Sequence, residues 1–355
     1  MPRSASRAAL LAAAWLFVAS HARGQAPIAV DSPRLCLPSA TSTLPSCRHP
    51  AFHSDWVRAV VLWSEGALTT GDVAQVHDLL RSSMGRIDAE GTLDLRIRAR
   101  VLCGEAAARL GRAQDARARF DAAIQLWSDP AALGWLRSKG ADAESRTAIA
   151  SAVDAVGRAV FHLAKHAQRE ADDATGRLDP PPVDAPDPAA RSKQTAAYRQ
   201  WVAVQLPPWM KAREASLTAV ERLYRSVFDI PPAPPVRWSV AAAEAIGEMW
   251  AAYVTQLRSL PIPQDPPAGH VGSAYRHTPL DPVYEPFRVR AKGAYVLCLG
   301  ISSSRRFFDA TSARCEAWLA RNHRQEFRAL VEYVPPPTNN GSWLDDRRVA
   351  PRSAP

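Results

Sequence analysis

The amino-acid sequence predicts an all-α protein in which helical hairpins stack into a divergent array, an α-solenoid. Hydrophobic residues make up 47% of the 355 residues and charged residues 22%, which is typical of a folded chain. The 30 prolines are bunched between apolar runs of helical periodicity, where they act as stiff connectors between helices. No segment is a good candidate for a β-strand.

The first 24 residues have the pattern of a signal peptide. Arg3 and Arg7 form a basic region, "AALLAAAWLFVAS" forms a short apolar region, and "HARGQA" offers cleavage after Gly24 or Ala26. The alternative is an uncleaved N-terminal anchor. No other run is long and apolar enough to span a bilayer. We therefore expect a mature chain without a transmembrane segment in the periplasm or cell envelope, where peripheral membrane association stays open.

Five cysteines in an exported chain favour disulfide bonds. Cys36 and Cys47 would close a short loop in the N-terminal segment, and Cys298 and Cys315 would join two consecutive helices. Cys103 is then left over, and we interpret it as a small buried hydrophobic residue.

The stretch "LCGEAAARLGRAQDARARFDAAIQL" predicts two helices folded against each other. Gly104 allows close approach of the helices, Gly111 ends the first helix, and Ala116, Phe120 and Ala123 form a stripe on the second. This spacing resembles the tetratricopeptide repeat, in which small residues mark the helix crossing. Since one such hairpin cannot bury its own apolar face, neighbouring hairpins are expected.

Degraded copies of the pattern lie on both sides of this hairpin. Upstream, Gly66 and Gly71 take positions similar to those of Gly104 and Gly111. Downstream, Gly247 fits a first helix, and Ala291 and Tyr295 fit its partner beyond a proline-rich insertion.

Ten helices follow from the apolar periodicity, over residues 55–63, 73–84, 93–110, 113–126, 141–174, 195–204, 208–228, 240–260, 283–301 and 306–322. The domain division is a signal peptide (1–24), a proline- and serine-rich segment (25–54), N-terminal hairpins (55–178), a proline-rich linker (179–194), C-terminal helices (195–334) and a disordered tail (335–355).

The second half carries a more specific likeness. The order "VFHLAKHAQRE", "KAREASLTAVERLYRSVFDI", "RWSVAAAEAIGEMWAAYVTQLRSLPIP" and "KGAYVLCLGISSSRRFFDATSARCEAWL" over about 141–332 resembles the tetratricopeptide-like exported envelope proteins of myxobacteria, a group that includes a component of the gliding-motility machinery. The resemblance implies an exported helical scaffold without catalysis. Two features depart from it: no lipid-attachment cysteine follows the signal peptide, and residues 180–188 are unusually rich in proline. The first departure leaves membrane anchoring open.

No residue pattern indicates catalysis, a cofactor or a metal. His162, His166 and Glu170 share a helix face, but the sequence reads "HLAKH" rather than "HExxH", so we interpret them as a solvated polar face. His270 and His277 lack nearby ligands. The chain contains neither a nucleophile elbow nor a phosphate loop.

The charge pattern argues against a nucleic-acid partner. The formal net charge of +9 falls by three to +6 when Arg3, Arg7 and Arg23 leave with the signal peptide, and the remaining basic residues are spread over many helices.

Four tryptophans are the candidates for partner binding, because aromatic residues dominate binding hot spots. They are Trp201, Trp209, Trp238 and Trp250. The alternative is that they fill gaps where irregular helices cross.

The expected function is a non-catalytic scaffold or adaptor that binds envelope proteins. The alternatives are a soluble periplasmic module for a small ligand or cell-wall fragment, and an enzyme with an unrecognised site. An open aromatic groove of peptide width would favour the scaffold, and a closed pocket with convergent polar groups the ligand-binding module.

Overall fold

The computed structural model describes residues 53–261, apart from 177 and 184, and residues 281–327. Within these residues the chain forms α-helices and no β-strand, as predicted. A 3₁₀ turn, Ser226–Asp229, extends the eighth helix. The helices are α1 His53–Thr70, α2 Val73–Glu90, α3 Leu93–Arg109, α4 Ala113–Ser128, α5 Pro130–Ser138, α6 Ala143–Thr175, α7 Pro188–Val204, α8 Leu206–Arg225, α9 Val236–Arg258, α10 Asp281–Arg305 and α11 Ala310–Asn322.

The turns that join α1 to α2 and α3 to α4 have the same construction. Gly71 and Gly111, which lie 40 residues apart, adopt φ values of +96° and +75°. In each turn the next amide donates to a carbonyl five residues back: Asp72 N to Ala67 O at 3.0 Å, and Arg112 N to the equivalent carbonyl at 2.9 Å. This bond pattern closes a helix when its C′ residue is left-handed, which glycine allows without strain. The two turns therefore end their first helices in the same way.

Aspartate side chains start four of the helices. Asp129, Asp142, Asp187 and Asp309 each accept a hydrogen bond from a backbone amide in the first turn of α5, α6, α7 and α11. In α5 and α7 a proline follows the aspartate, in a position where its missing N–H costs nothing. The prolines after Asp129 and Asp187 therefore begin helices.

The helices pack in a regular order. Five of them, α1, α3, α6, α9 and α11, form a row, called here the front row, in which each helix contacts the next. Each of α2, α4, α8 and α10 packs against two successive members of that row. The short helix α5 contacts α4, and α7 contacts α8. The chain thus adds one front-row helix and one packing partner at a time.

The buried apolar side chains form three clusters along this order. The first lies within α1, α2 and α3, the second extends from α3 to α10, and the third joins α9, α10 and α11. Helix α3 belongs to two of them, because Leu102 and Cys103 pack in the first cluster and Ile97 and Val101 in the second. Cys298 and Cys315 form a disulfide bond within the third.

The structure differs from the sequence predictions at several helix boundaries. Helix α1 extends to Thr70, and α5 has no counterpart among the predicted helices. Helix α7 begins at Pro188 and takes up half of the predicted linker. The last helix begins at Ala310 and not at 306, because Arg306 adopts a positive φ of 52°.

Some predictions fall on residues outside the described part of the chain. They are the signal peptide, the N-terminal segment up to residue 52, the tail, Cys36, Cys47, His270 and His277. Among the described helices, none has an apolar stretch that would reach across a bilayer.

Candidate partner-binding groove

An open groove of about 1070 Å³ runs along the front row between α6, α9 and α11. It is called the main groove below. A second concavity of about 390 Å³, the minor cleft, lies between α1, α3 and α6. Both concavities are therefore bounded by front-row helices.

One face of α6 lines both concavities. Phe161, Lys165, Gln168 and Asp172 border the main groove, and the residues of α6 that border the minor cleft continue the same spacing of three and four back to Thr147. Residues at this spacing share one side of a helix with 3.6 residues per turn. Helix α6 therefore provides a continuous wall from Thr147 to Asp172.

Aromatic rings form the floor of the main groove. Phe161 contacts Tyr224 and Trp238, with ring centroids 5.6 and 5.4 Å apart. Across the groove, Tyr295 stacks on Trp318 with centroids 4.2 Å apart. Burial raises the pKa of both tyrosines, so their phenols stay neutral at physiological pH. Tyr224, Trp238 and Tyr295 are buried, so Phe161 and Trp318, which are half-buried, provide most of the open apolar surface of the floor.

Glycines set the position of two of these rings. A methyl group at Gly247 would lie 2.8 Å from Cε2 of Tyr295, and one at Gly157 would lie 3.1 Å from Cδ1 of Trp238. Any larger residue would hold α9 away from α10 or α6. The floor therefore depends on close helix crossings.

The same crossing occurs in the first half of the chain. A methyl group at Gly104 would lie 2.8 Å from Cε1 of Phe120. The other residues assigned to repeat packing, Ala116, Ala123 and Ala291, are buried, and Gly111 forms the turn described above. A glycine that meets an aromatic ring of the following helix thus occurs in both α3–α4 and α9–α10.

Some of the charged residues around the main groove neutralise each other. Arg314 donates to both carboxylate oxygens of Glu244, one of them at 2.9 Å, and this bond raises the pKa of the arginine. Asp172 pairs with Arg213. Asp309 accepts from the first amides of α11. Glu244 and Asp172 thus have cationic partners, whereas Asp309 bonds to backbone amides and keeps its negative charge.

The remaining charged side chains of the main groove are mostly basic. No carboxylate of the described residues lies within ion-pair distance of Lys165, Arg169, Arg237 or Arg321. The guanidinium of Arg237 lies 5.3 Å from the ring centroid of Trp238. Glu248 is the one acidic lining residue in this part of the chain that has neither an ion-pair partner nor a capping role. All five side chains are exposed.

A buried carboxylate connects α3 to α6 close to these concavities. Arg158 donates to both oxygens of Glu105, and Nε2 of His162 lies 2.8 Å from Oε1. Burial raises the pKa of Glu105, but the hydrogen bond from His162 and the charge of Arg158 together lower it by more. The pKa of Glu105 is therefore below its usual value. Glu105 is therefore ionised in the folded protein at neutral pH.

These contacts correct the interpretation of the polar face of α6. His162 bonds to buried Glu105 and stacks on Phe120 at 5.2 Å, whereas His166 lies 3.4 Å from Glu170. The two histidines thus have separate partners, and His162 takes part in packing rather than in a solvated face. Within the described residues, no cluster of histidine, cysteine or carboxylate side chains is suited to a metal ion.

The four tryptophans assigned to partner binding occupy different environments. Trp250 is 0% exposed and donates to Glu221 at 2.8 Å, and Trp201 is buried against Tyr198. Trp209 is half-buried and donates to a carbonyl of α6. Trp201 and Trp250 therefore pack in the core instead of facing a partner, because their helix faces are covered by neighbouring helices. Trp238 is the one of the four that borders the main groove, although it too is buried and packs in the same cluster as Trp201 and Trp250.

Phe161 and Trp318 are not among the binding residues predicted from the sequence, and Tyr295 is predicted for packing alone. The spacing of Phe161, Lys165, Gln168 and Asp172 was available as a signal, because it places an aromatic ring among polar residues on one helix face.

Comparison with known proteins identifies no relative. No protein-family model, no curated protein and no solved structure matches the chain.

Proposed function

We propose that this chain is an exported, tetratricopeptide-like scaffold without catalytic activity, and that its main groove binds a peptide segment of an envelope protein. The observation that carries the proposal is the open groove with an aromatic floor on front-row helices. An open groove that contains aromatic residues supports a scaffold over an enclosed small-ligand pocket.

The order of helix packing supports the tetratricopeptide-like part of the proposal. In such arrays each hairpin contacts only its neighbours, and small residues stand where the two helices of a hairpin cross. The front row and its packing partners have this order, and the Gly104–Phe120 and Gly247–Tyr295 contacts have this chemistry. The spacing of 40 residues between Gly71 and Gly111 is longer than the period of the tetratricopeptide repeat, so the array is a divergent one.

The shape and lining of the main groove favour a peptide over a small molecule. Small-ligand pockets enclose most of the ligand surface, whereas this groove is open along its length. Tryptophan, tyrosine and arginine are the side chains that contribute most to protein interfaces, and all three line it. An amphipathic or extended segment would place its apolar side chains on the rings and its polar side chains toward solvent.

The disulfide bond between Cys298 and Cys315 supports export. Such bonds persist in oxidising compartments and are rare in the cytosol. This agrees with the expected signal peptide.

Site-specific photocrosslinking in the source cells tests the proposal. A photoreactive amino acid in place of Ala252, an exposed residue of the main groove, should form an adduct with a distinct envelope protein. The matched control carries the same group at Leu223, which is 44% exposed on α8 and does not line the groove. Adding Trp318→Ala to the Ala252 variant should abolish the adduct.

Two outcomes would contradict the proposal. Equal adducts from both positions would show that the main groove is not the binding surface. The absence of any protein adduct at Ala252, with copurification of a small molecule detected by native mass spectrometry, would favour a ligand-binding module.

A further inference from the structure

We propose that the segment bound in the main groove is an acidic peptide that carries apolar side chains. This inference rests on the proposed function, because it specifies the chemistry of the partner that the groove receives.

The uncompensated charges of the main groove carry the inference. Lys165, Arg169, Arg237 and Arg321 contribute four positive charges that no described carboxylate pairs with, against two negative charges, from Glu248 and Asp309, that have no described cationic partner. The four basic residues come from α6, α9 and α11, so every front-row helix of the groove contributes at least one. A bound segment would meet positive charge on each side.

Positive charge continues beyond Trp318. A small cavity of about 110 Å³ adjoins the main groove there, lined in part by Arg258 and Arg288. The guanidinium of Arg258 lies 4.7 Å from the ring centroid of Tyr284, whereas Arg288 is paired with Glu285 at 2.7 Å. Lys292, which is nearby, is likewise paired with Glu326 at 2.6 Å. Among these described side chains, Arg258 is therefore the unpaired cation that an acidic residue at the end of the peptide would meet.

The floor determines the rest of the chemistry. Phe161 and Trp318 present half-buried apolar rings between the basic residues, and Trp238 lies buried beside Phe161. A peptide with acidic side chains alone would leave these rings in contact with water, and an apolar peptide alone would leave the cations without partners. A segment that alternates acidic and apolar side chains satisfies both, because complementary charge provides specificity and apolar burial provides affinity.

A concave site discriminates between anionic partners. A flat lipid surface could contact the rims of the main groove but could not reach its aromatic floor. A peptide can enter the groove and contact cations and rings together, so we favour a peptide over an anionic membrane.

Fluorescence anisotropy with three labelled synthetic peptides on the purified mature protein tests the inference. The first alternates glutamate with leucine and phenylalanine, the second replaces glutamate with lysine, and the third replaces it with glutamine. We expect the acidic peptide to bind about tenfold more tightly than the neutral one at low ionic strength. Added salt should reduce this preference.

Two charge-reversal double variants test whether the preference for the acidic peptide arises in the main groove. Arg169→Glu with Arg321→Glu should weaken binding of the acidic peptide by about tenfold and improve binding of the lysine peptide. Arg222→Glu with Arg305→Glu makes the same change in net charge at exposed positions outside the main groove, and it should leave both affinities nearly unchanged. Circular dichroism establishes that all variants are folded.

The results separate the inference from the proposed function. Equal binding of the three peptides, lost in Trp318→Ala, would retain the groove as a peptide site and overturn its acidic preference. Binding to vesicles of phosphatidylglycerol but to no peptide would point to a membrane partner and overturn the inference. If neither peptides nor vesicles bind, both the inference and the proposed function are refuted.

Discussion

The replacement of Gly104 with alanine measures how closely α3 and α4 approach each other. The new methyl group would lie 2.8 Å from Cε1 and 3.0 Å from Cδ1 of Phe120, and atoms at this distance must move apart. Phe120 has little room to move, because it is 3% exposed and its ring stacks on His162. Overpacking of this kind costs about 1–3 kcal/mol, and the higher helix propensity of alanine returns about 1 kcal/mol. We therefore expect the free energy of unfolding to fall by up to about 2 kcal/mol.

Gly85→Ala is the matched control. Gly85 lies inside α2, and a methyl group there would meet nothing within 4 Å. The same exchange should therefore raise the free energy of unfolding by about 0.5–1 kcal/mol. Urea unfolding followed by circular dichroism gives both values, provided that the two variants have equal m-values.

The double variant Gly104→Ala with Phe120→Leu tests the assigned contact. A smaller side chain at 120 should relieve the clash, so the two changes together should cost less than the sum of the single costs. The reasoning is refuted if Gly104→Ala stabilises the protein as much as Gly85→Ala does, since the helices would then not be in close contact at this point.

Three further predictions concern stability. Glu105→Gln should destabilise the protein by about 1–3 kcal/mol at pH 7, because the partly buried charge of Arg158 loses its counter-charge. Because the pKa of Glu105 is lowered in the folded state, its ionised carboxylate contributes fully to stability above about pH 4.5, the usual pKa of the group. This stabilisation is lost as the pH falls through the folded-state pKa. The melting temperature should therefore fall less between pH 7 and pH 4 in the variant than in the wild type. Replacing Cys298 and Cys315 with serine should cost about 3 kcal/mol for a loop of this length, and reduction of the wild type should reproduce the loss. Gly111→Ala should cost about 1 kcal/mol in the same urea assay, because its φ of +75° strains any residue with a Cβ, and an unchanged midpoint would contradict the assigned turn.

Local sequence signals predicted the all-α class and the α3–α4 hairpin. The glycine that ends α3 and the small residue that allows the crossing act within a few turns of helix, so their spacing is enough to identify them. The aspartate–proline pairs before α5 and α7 carried an equally local signal. The pair Asp187–Pro188 nevertheless falls in the predicted linker, because proline ends helices as well as beginning them, and the N-cap residue distinguishes the two cases.

Local sequence signals do not predict which tryptophans border the main groove. Trp250 and Trp238 lie 12 residues apart on α9 and both are buried in the same cluster, yet only Trp238 borders the main groove. Their environments depend on where α8, α10 and α11 cross α9, and no local pattern encodes those crossings. The main groove brings together residues from Phe161 to Arg321, so its charge and floor follow only from the tertiary fold.

The lining face of α6 also determines how long a peptide must be to follow it from end to end. From Thr147 to Asp172 its lining face rises about 38 Å at 1.5 Å per residue. An extended peptide that followed this face through the minor cleft and the main groove would need roughly eleven residues at 3.4 Å each. A shorter segment would occupy one concavity and leave the other open. The length of this helix face therefore sets the shortest peptide that can fill both concavities, and two shorter peptides could fill them separately.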